Sequence, residues 1–329
     1  MLYSQGTAML LSGILSVLAF AGKLTVHPLM AIGVLQGVAN SFNLPIRQSL
    51  ISELVPKKSI VNAVALNGAS ITLTLVLGPA LGGLVVGTLG VEYALLLNAI
   101  SFAAVLWALF AMKIPPQEKK HEKSITQSLT EGADYILHHK VILTVVLSSF
   151  IMLAVGLPYT TLLPVFAREY FHLSAAGYGY LFSIAGIGAL TGSLFSGVRS
   201  KEKVKAAMIF SFVGFGLLLV LFGTAALLLP NYIFIFVLLL IMLGFSLSTF
   251  NVTNNTILQL QVNDAYRGRV LSTLFLGFGL TSLGSFVIGW LAEYLSAPAA
   301  YIVIGVVLLL LSGFLVYFTK GQEMHYNSR

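Results

Sequence analysis

Ala206-Ala-Met-Ile-Phe-Ser-Phe-Val-Gly-Phe-Gly-Leu-Leu-Leu-Val-Leu-Phe-Gly-Thr-Ala-Ala-Leu-Leu228 contains no charged residue. It exceeds the roughly 18 apolar residues that mark a membrane-crossing helix. Apolar and polar positions do not alternate along it. In hydrocarbon every backbone group must pair within a helix or a closed barrel, and continuous apolarity selects the helix. Runs of the same kind recur at roughly 5–22, 28–46, 62–88, 91–112, 141–166, 176–198, 231–255, 269–293 and 298–318, which makes ten expected spans. Composition points the same way: 57% of the 329 residues are hydrophobic and 9% are charged, too few charges for a surface facing water. The expected fold is all-α, a polytopic membrane helical bundle. A soluble enzyme is excluded. The chain has no cysteine, so it can form neither a disulfide nor a thiolate metal site.

The few charges lie between the apolar runs, and their placement gives an orientation. If both termini are cytoplasmic, 16 of the 18 basic residues fall inside, and only Lys23 and Arg168 fall outside. Basic residues collect in short cytoplasmic loops, so this orientation in the plasma membrane is the expected one. The net charge of +7 then reports topology and gives no reason to expect a nucleic-acid partner. No basic segment precedes the first apolar run, which argues against a cleaved signal peptide. The longest polar interruption, Lys113 to Lys140, places Ile125, Leu129, Ala133, Ile136 and Leu137 near helical spacing. A helix along the inner membrane surface is expected there. It divides the chain into 1–113 with four spans, a linker at 114–140, and 141–329 with six spans and a short tail. Leu77-Gly78 followed by Gly83 recurs as Leu283-Gly284 followed by Gly289, a weak internal repeat of the kind found in transporters built from two parallel halves.

Several stretches carry a family likeness: Pro45-Ile-Arg-Gln-Ser-Leu-Ile-Ser-Glu-Leu-Val-Pro56, Asn62-Ala-Val-Ala-Leu-Asn67, Leu77-Gly-Pro-Ala-Leu-Gly-Gly83, Glu131-Gly132, Leu163-Pro-Val-Phe-Ala-Arg168, Tyr178-Gly179 and Arg267-Gly-Arg-Val270. Together they resemble the exporter branch of the major facilitator superfamily, within it the group of enterobactin exporters and macrolide efflux pumps. The likeness covers nearly the whole chain. It implies a secondary active transporter working by alternating access on an ion gradient, and a 12-helix parent whose two leading helices are absent here. The Gly78-Pro79-x-x-Gly82-Gly83 element is the antiporter motif of that family. Two departures stand against proton coupling by family residues: Gly33 occupies the place of an arginine before Gln36-Gly37, and Ser196 that of an aspartate. Protons remain the candidate coupling ion by resemblance alone. The rival to a transporter is a transport-incompetent remnant or a membrane scaffold.

Polar groups inside a span are costly, so they should face a partner or a water-filled cavity. Gln36, Asn40, Asn43 and Arg47 recur at steps of 4, 3 and 4 on one helix face, and Asn251, Asn255 and Gln259 do the same, flanked by Asn254. With Tyr159, Thr160 and Thr161 they are the candidate lining of a small-molecule cavity. The competing reading is that they bridge helices, where such a contact contributes about 0.6 to 2 kcal/mol. Gly78, Gly82, Gly83, Gly188 and Gly192, with Pro79, are expected to let helices of the two halves approach closely. Arg47, Arg267 and Arg269 belong to cytoplasmic loops. The six histidines fall in loops or tails, and Glu92 and Glu293 at the outer rim. No catalytic site, metal or cofactor is therefore expected. The expected partners are a small-molecule substrate and the bilayer, with the protein a monomer.

Overall fold

The structure is a computed structural model that describes residues 1–41, 60–112, 125–197 and 203–319. Every span expected from the sequence is occupied by a helix: α1 (Leu2–Phe20), α2 (Val26–Ser41), α3 (Ile60–Thr88), α4 (Val91–Ala111), α6 (Lys140–Tyr170), α7 (Ala175–Gly197), α8 (Val204–Leu228), α9 (Ile233–Gln261), α10 (Asp264–Tyr294) and α11 (Ala297–Thr319). The linker contributes α5 (Ile125–His138). Among the described residues six helices are long and apolar enough to cross a membrane, and none forms a strand. The chain is a multi-pass helical membrane protein.

Helix ends follow local chemistry. Gly22 takes φ of 66° after α1, and the Lys23 N–H reaches back to the Leu18 carbonyl, a left-handed glycine stop. Gly90, at φ of 104°, lets the chain reverse between α3 and α4.

The helices form two compact units, Met1–Lys120 with Ser174–Tyr180, and His121–Leu173 with Leu181–Arg329. In the first, α1 packs on α4 and α2 around Leu11, Leu15 and Ile32. Three helices meet there on one hydroxyl: Ser12 Oγ accepts from Gln36 Nε2 at 3.2 Å and from Asn98 Nδ2 at 3.1 Å. In the second, α8 packs on α11 and α9 around Phe166, Phe212, Phe215, Phe222, Phe236 and Tyr301, all buried. Aromatic rings supply much of this core through edge and tilted contacts, such as Phe166 to Phe222 at 5.1 Å and Phe166 to Tyr301 at 4.6 Å.

Helix α6 departs from the regular helix that the sequence suggests. It runs as an α-helix to Ile151, widens to a π-turn over Met152–Gly156, tightens to a 3-10 stretch over Leu157–Leu162, and widens again over Phe166–Tyr170. Pro158 and Pro164 bring no N–H, so the carbonyls one turn earlier lose their usual donors.

The linker helix α5 occupies the stretch expected to be helical. Gly132 and Ile136 are buried, whereas Leu137 is 65% exposed. Its inner face is turned toward α10 and α6, because Gly132 and Ile136 are one helical turn apart on a single face. The side chains of Ile125 and Leu129 lie outside the described residues.

Candidate transport site

The two amide stripes are used differently. On α2, Gln36 is half-buried and gives its amide to Ser12, as a bridge between helices. Asn43 and Arg47 lie outside the described residues, as does the side chain of Asn40. On α9, Asn251, Asn255 and Gln259 share one exposed face at steps of four, and Asn255 Nδ2 donates to the Asn251 carbonyl at 2.9 Å.

Asn254 does not join that face. It is 3% exposed and turns against α6, donating through Nδ2 to Ser149 Oγ at 2.6 Å and to the Val145 carbonyl at 3.3 Å. Its Oδ1 is buried with no hydrogen-bond partner. One residue of offset along a helix turns a side chain by about 100°, enough to separate Asn254 from Asn255.

The Tyr159-Thr160-Thr161 group does not converge either. Tyr159 is buried in the aromatic core beside Phe215 and Tyr301. Thr160 Oγ1 donates to its own helix at Leu157. Only Thr161 is exposed, and its hydroxyl donates to Ser285 Oγ on α10 at 2.9 Å. The irregular backbone explains the scatter, since a 3-10 turn places successive side chains about 120° apart.

Sequence reasoning missed Tyr301, whose hydroxyl donates to the Tyr159 carbonyl at 2.7 Å inside the core. It satisfies a carbonyl in the 3-10 stretch. Pro158 and Pro164 in one span signal an irregular backbone, but neither removes the usual donor of the Tyr159 carbonyl, the Leu163 N–H, which bonds to Thr160 instead.

The glycines fall into three settings. Gly83 lies against Gly179 within the first unit, where a Cβ on Gly83 would come within 2.9 Å of the Gly179 Cα. Gly82 has open space around it, Gly78 touches only Thr74, and Pro79 presents its carbonyl to Gly179. Gly188 and Gly192 correct the expectation that they pack one half against the other. They face the backbone of Ile241 and Phe245 on α9, inside the second unit, and Gly244 answers them against Ala185. Small residues on both helices let the backbones meet without side chains between them. The third setting is α10. Gly277 meets Phe150 and Leu153, and Gly284 meets the Ala154 carbonyl and Pro158. The close neighbours of these two glycines are thus supplied by α6. The two copies of the internal repeat are packed differently, since Gly83 is crowded and Gly289, its counterpart, is open.

Arg267 and Arg269, expected in a cytoplasmic loop, instead lie in the opening turns of α10. Arg269 pairs with Glu131 on α5 at 2.5 Å, and the side chain of Arg267 lies outside the described residues. No group of three or more metal-binding side chains is found among the described residues.

Residues 1–328 match the family described as Transmembrane secretion effector. The chain belongs to that family. It is a family of membrane transporters with the major facilitator fold, as the motifs from Leu77 to Gly83 and from Arg267 to Val270 imply. Among similar proteins, the staphyloferrin A transporter of Staphylococcus aureus is 26% identical over 308 residues, covering 91% of this chain and 75% of the relative. The enterobactin exporter EntS of Shigella boydii is 28% identical over 270 residues, covering 78% of this chain and 62% of the exporter, less than two thirds of its length. Two solved structures share the fold: a point mutant of the nucleoside transporter NupG, at TM-score 0.74 and 17% identity over 97% of this chain and 83% of that one, and the D-xylose-proton symporter, at TM-score 0.71 and 19% identity over 98% and 82%.

Proposed function

We propose that this secretion-effector family member carries a small organic molecule of the siderophore class out of the cell by alternating access. The observation that carries the reading is the exposed face of Asn251, Asn255 and Gln259 on α9. Amides set against hydrocarbon would be unfavourable, and a hydrated path removes that cost. Two relatives support the substrate class, one named for staphyloferrin A and one for enterobactin.

The reading includes a plasma-membrane location with both termini cytoplasmic, a monomer, and an ion gradient as the energy source with protons as the candidate coupling ion. It takes 1–113 and 141–329 as the two bundles and 114–140 as their linker. On α2 the competing helix-bridging role is favoured for Gln36, which gives its amide to Ser12.

The test is Asn255→Leu in an export assay. Cells producing this variant should retain an added catecholate or carboxylate siderophore several-fold more than cells producing the parent, at equal protein in the membrane. Unchanged export would remove Asn255 from the path.

A further inference from the structure

Two fragments of the family likeness, Glu131-Gly132 and Arg267-Gly-Arg269, lie far apart in sequence. The structure brings them together on the linker. Glu131 Oε2 meets Arg269 Nη1 at 2.5 Å, with both side chains less than a third exposed. Gly132 is buried against Arg269, where a Cβ would come within 3.1 Å of the arginine Cβ and 3.4 Å of its carbonyl oxygen. Arg269 lies over the Tyr266 ring at 5.2 Å, and Tyr266 stacks on Tyr135 at 4.4 Å with the planes 8° apart. The Asn263 N–H donates to the Tyr135 hydroxyl at 3.2 Å.

Each contact uses what its residue type supplies. The planar guanidinium can pair with a carboxylate and cover an aromatic face at once. Glycine at 132 lets the helices close to the distance those contacts need. Gly132 and Ile136 form a protein-facing side of α5, while Ala133 and Leu137 stay exposed on another.

Helix α10 continues from this clamp to the irregular part of α6. Gly277 is eight residues past Arg269, about 12 Å along the axis. It lies against Phe150 and Leu153, Gly284 against the Ala154 carbonyl and Pro158, and Ser285 accepts from Thr161. One continuous helix therefore touches the linker at its start and the π and 3-10 turns of α6 farther on.

We infer that Glu131 and Gly132 are positioning residues that anchor the linker helix to Arg269, and that α10 transmits the position of the linker to residues 152–162 of α6. This rests on the transport reading only for its purpose, and the clamp itself is measurable without a substrate. A pathway claim needs evidence of coupling between its ends, so the experiment reads both.

The chain has no cysteine, which allows spin labels at Leu137→Cys on α5 and Phe210→Cys on α8, both exposed positions. The full-length parent in nanodiscs should give one narrow distance distribution. Glu131→Lys should broaden it at least about twofold and speed amide exchange across 152–162 by about tenfold, as a local opening would. Combining Glu131→Arg with Arg269→Glu should restore both readings, which a loss of general packing would not do. Glu131→Gln removes the charge without repulsion and should move both readings in the same direction, so it serves if the lysine variant is not produced. A distribution that stays narrow in Glu131→Lys and Glu131→Gln overturns the clamp. A broadened distribution with unchanged exchange at 152–162 overturns the relay through α10. Failure of the export assay at Asn255 would leave both readings unaffected.

Discussion

Helices α8 and α6 are both strongly apolar, and both are long enough to cross a bilayer. Their backbones differ. Helix α8 is regular from Val204 to Leu228, whereas α6 changes its hydrogen-bond pattern four times between Ile151 and Phe166. Apolarity decides that a segment crosses the membrane, because the bilayer accepts only backbones that satisfy themselves. It does not decide how regular the crossing is. In α6 that is settled by two prolines, by the 3-10 tightening and by neighbours that accommodate the displaced carbonyls: Gly284 leaves room for that of Ala154, and Tyr301 donates to that of Tyr159.

The comparison breaks most sharply at Gly284. A leucine there would overlap the Ala154 carbonyl and Pro158, and overpacking of this kind costs about 3 kcal/mol. Gly284→Leu should lower thermal stability in detergent markedly, while Gly289→Ala, on the same helix with open space around it, should leave it unchanged or raise it by up to about 1 kcal/mol. Equal effects at the two positions would mean that α6 does not depend on the gap.

A smaller change sharpens the same contrast. Tyr301→Phe removes only the hydroxyl and leaves the Tyr159 carbonyl without that donor, at a cost of about 1 to 2 kcal/mol. Amide exchange should quicken across 157–162 and stay as it was in α8. Acceleration in both helices would point to general loosening of the aromatic core.

Much of the fold was legible because length and apolarity are local properties of a span. The run from Ala206 to Leu228 reads directly as α8, and each of the other nine spans likewise found its helix. The site was legible only in part. Helical periodicity placed Asn251, Asn255 and Gln259 on one face, but it assumes a regular helix, and the assumption fails at Tyr159, Thr160 and Thr161. Periodicity also cannot say which face looks inward. Asn254 is buried and Asn255 exposed, a difference set by the neighbouring α6. Likewise Gly188 and Gly192 were readable as small contact residues, but their partner was not, because partner choice depends on helices distant in sequence.

The central claim is that one face of α9 meets water at membrane depth. Single cysteines at positions 251, 254 and 255, with one at the exposed apolar Leu238 for comparison, can be tested with a membrane-impermeant maleimide applied to sealed and to opened vesicles. Labelling at 251 and 255, with 254 and 238 protected, is the result expected. Protection of 251 and 255 to the same degree as 238, from both sides, would contradict the account.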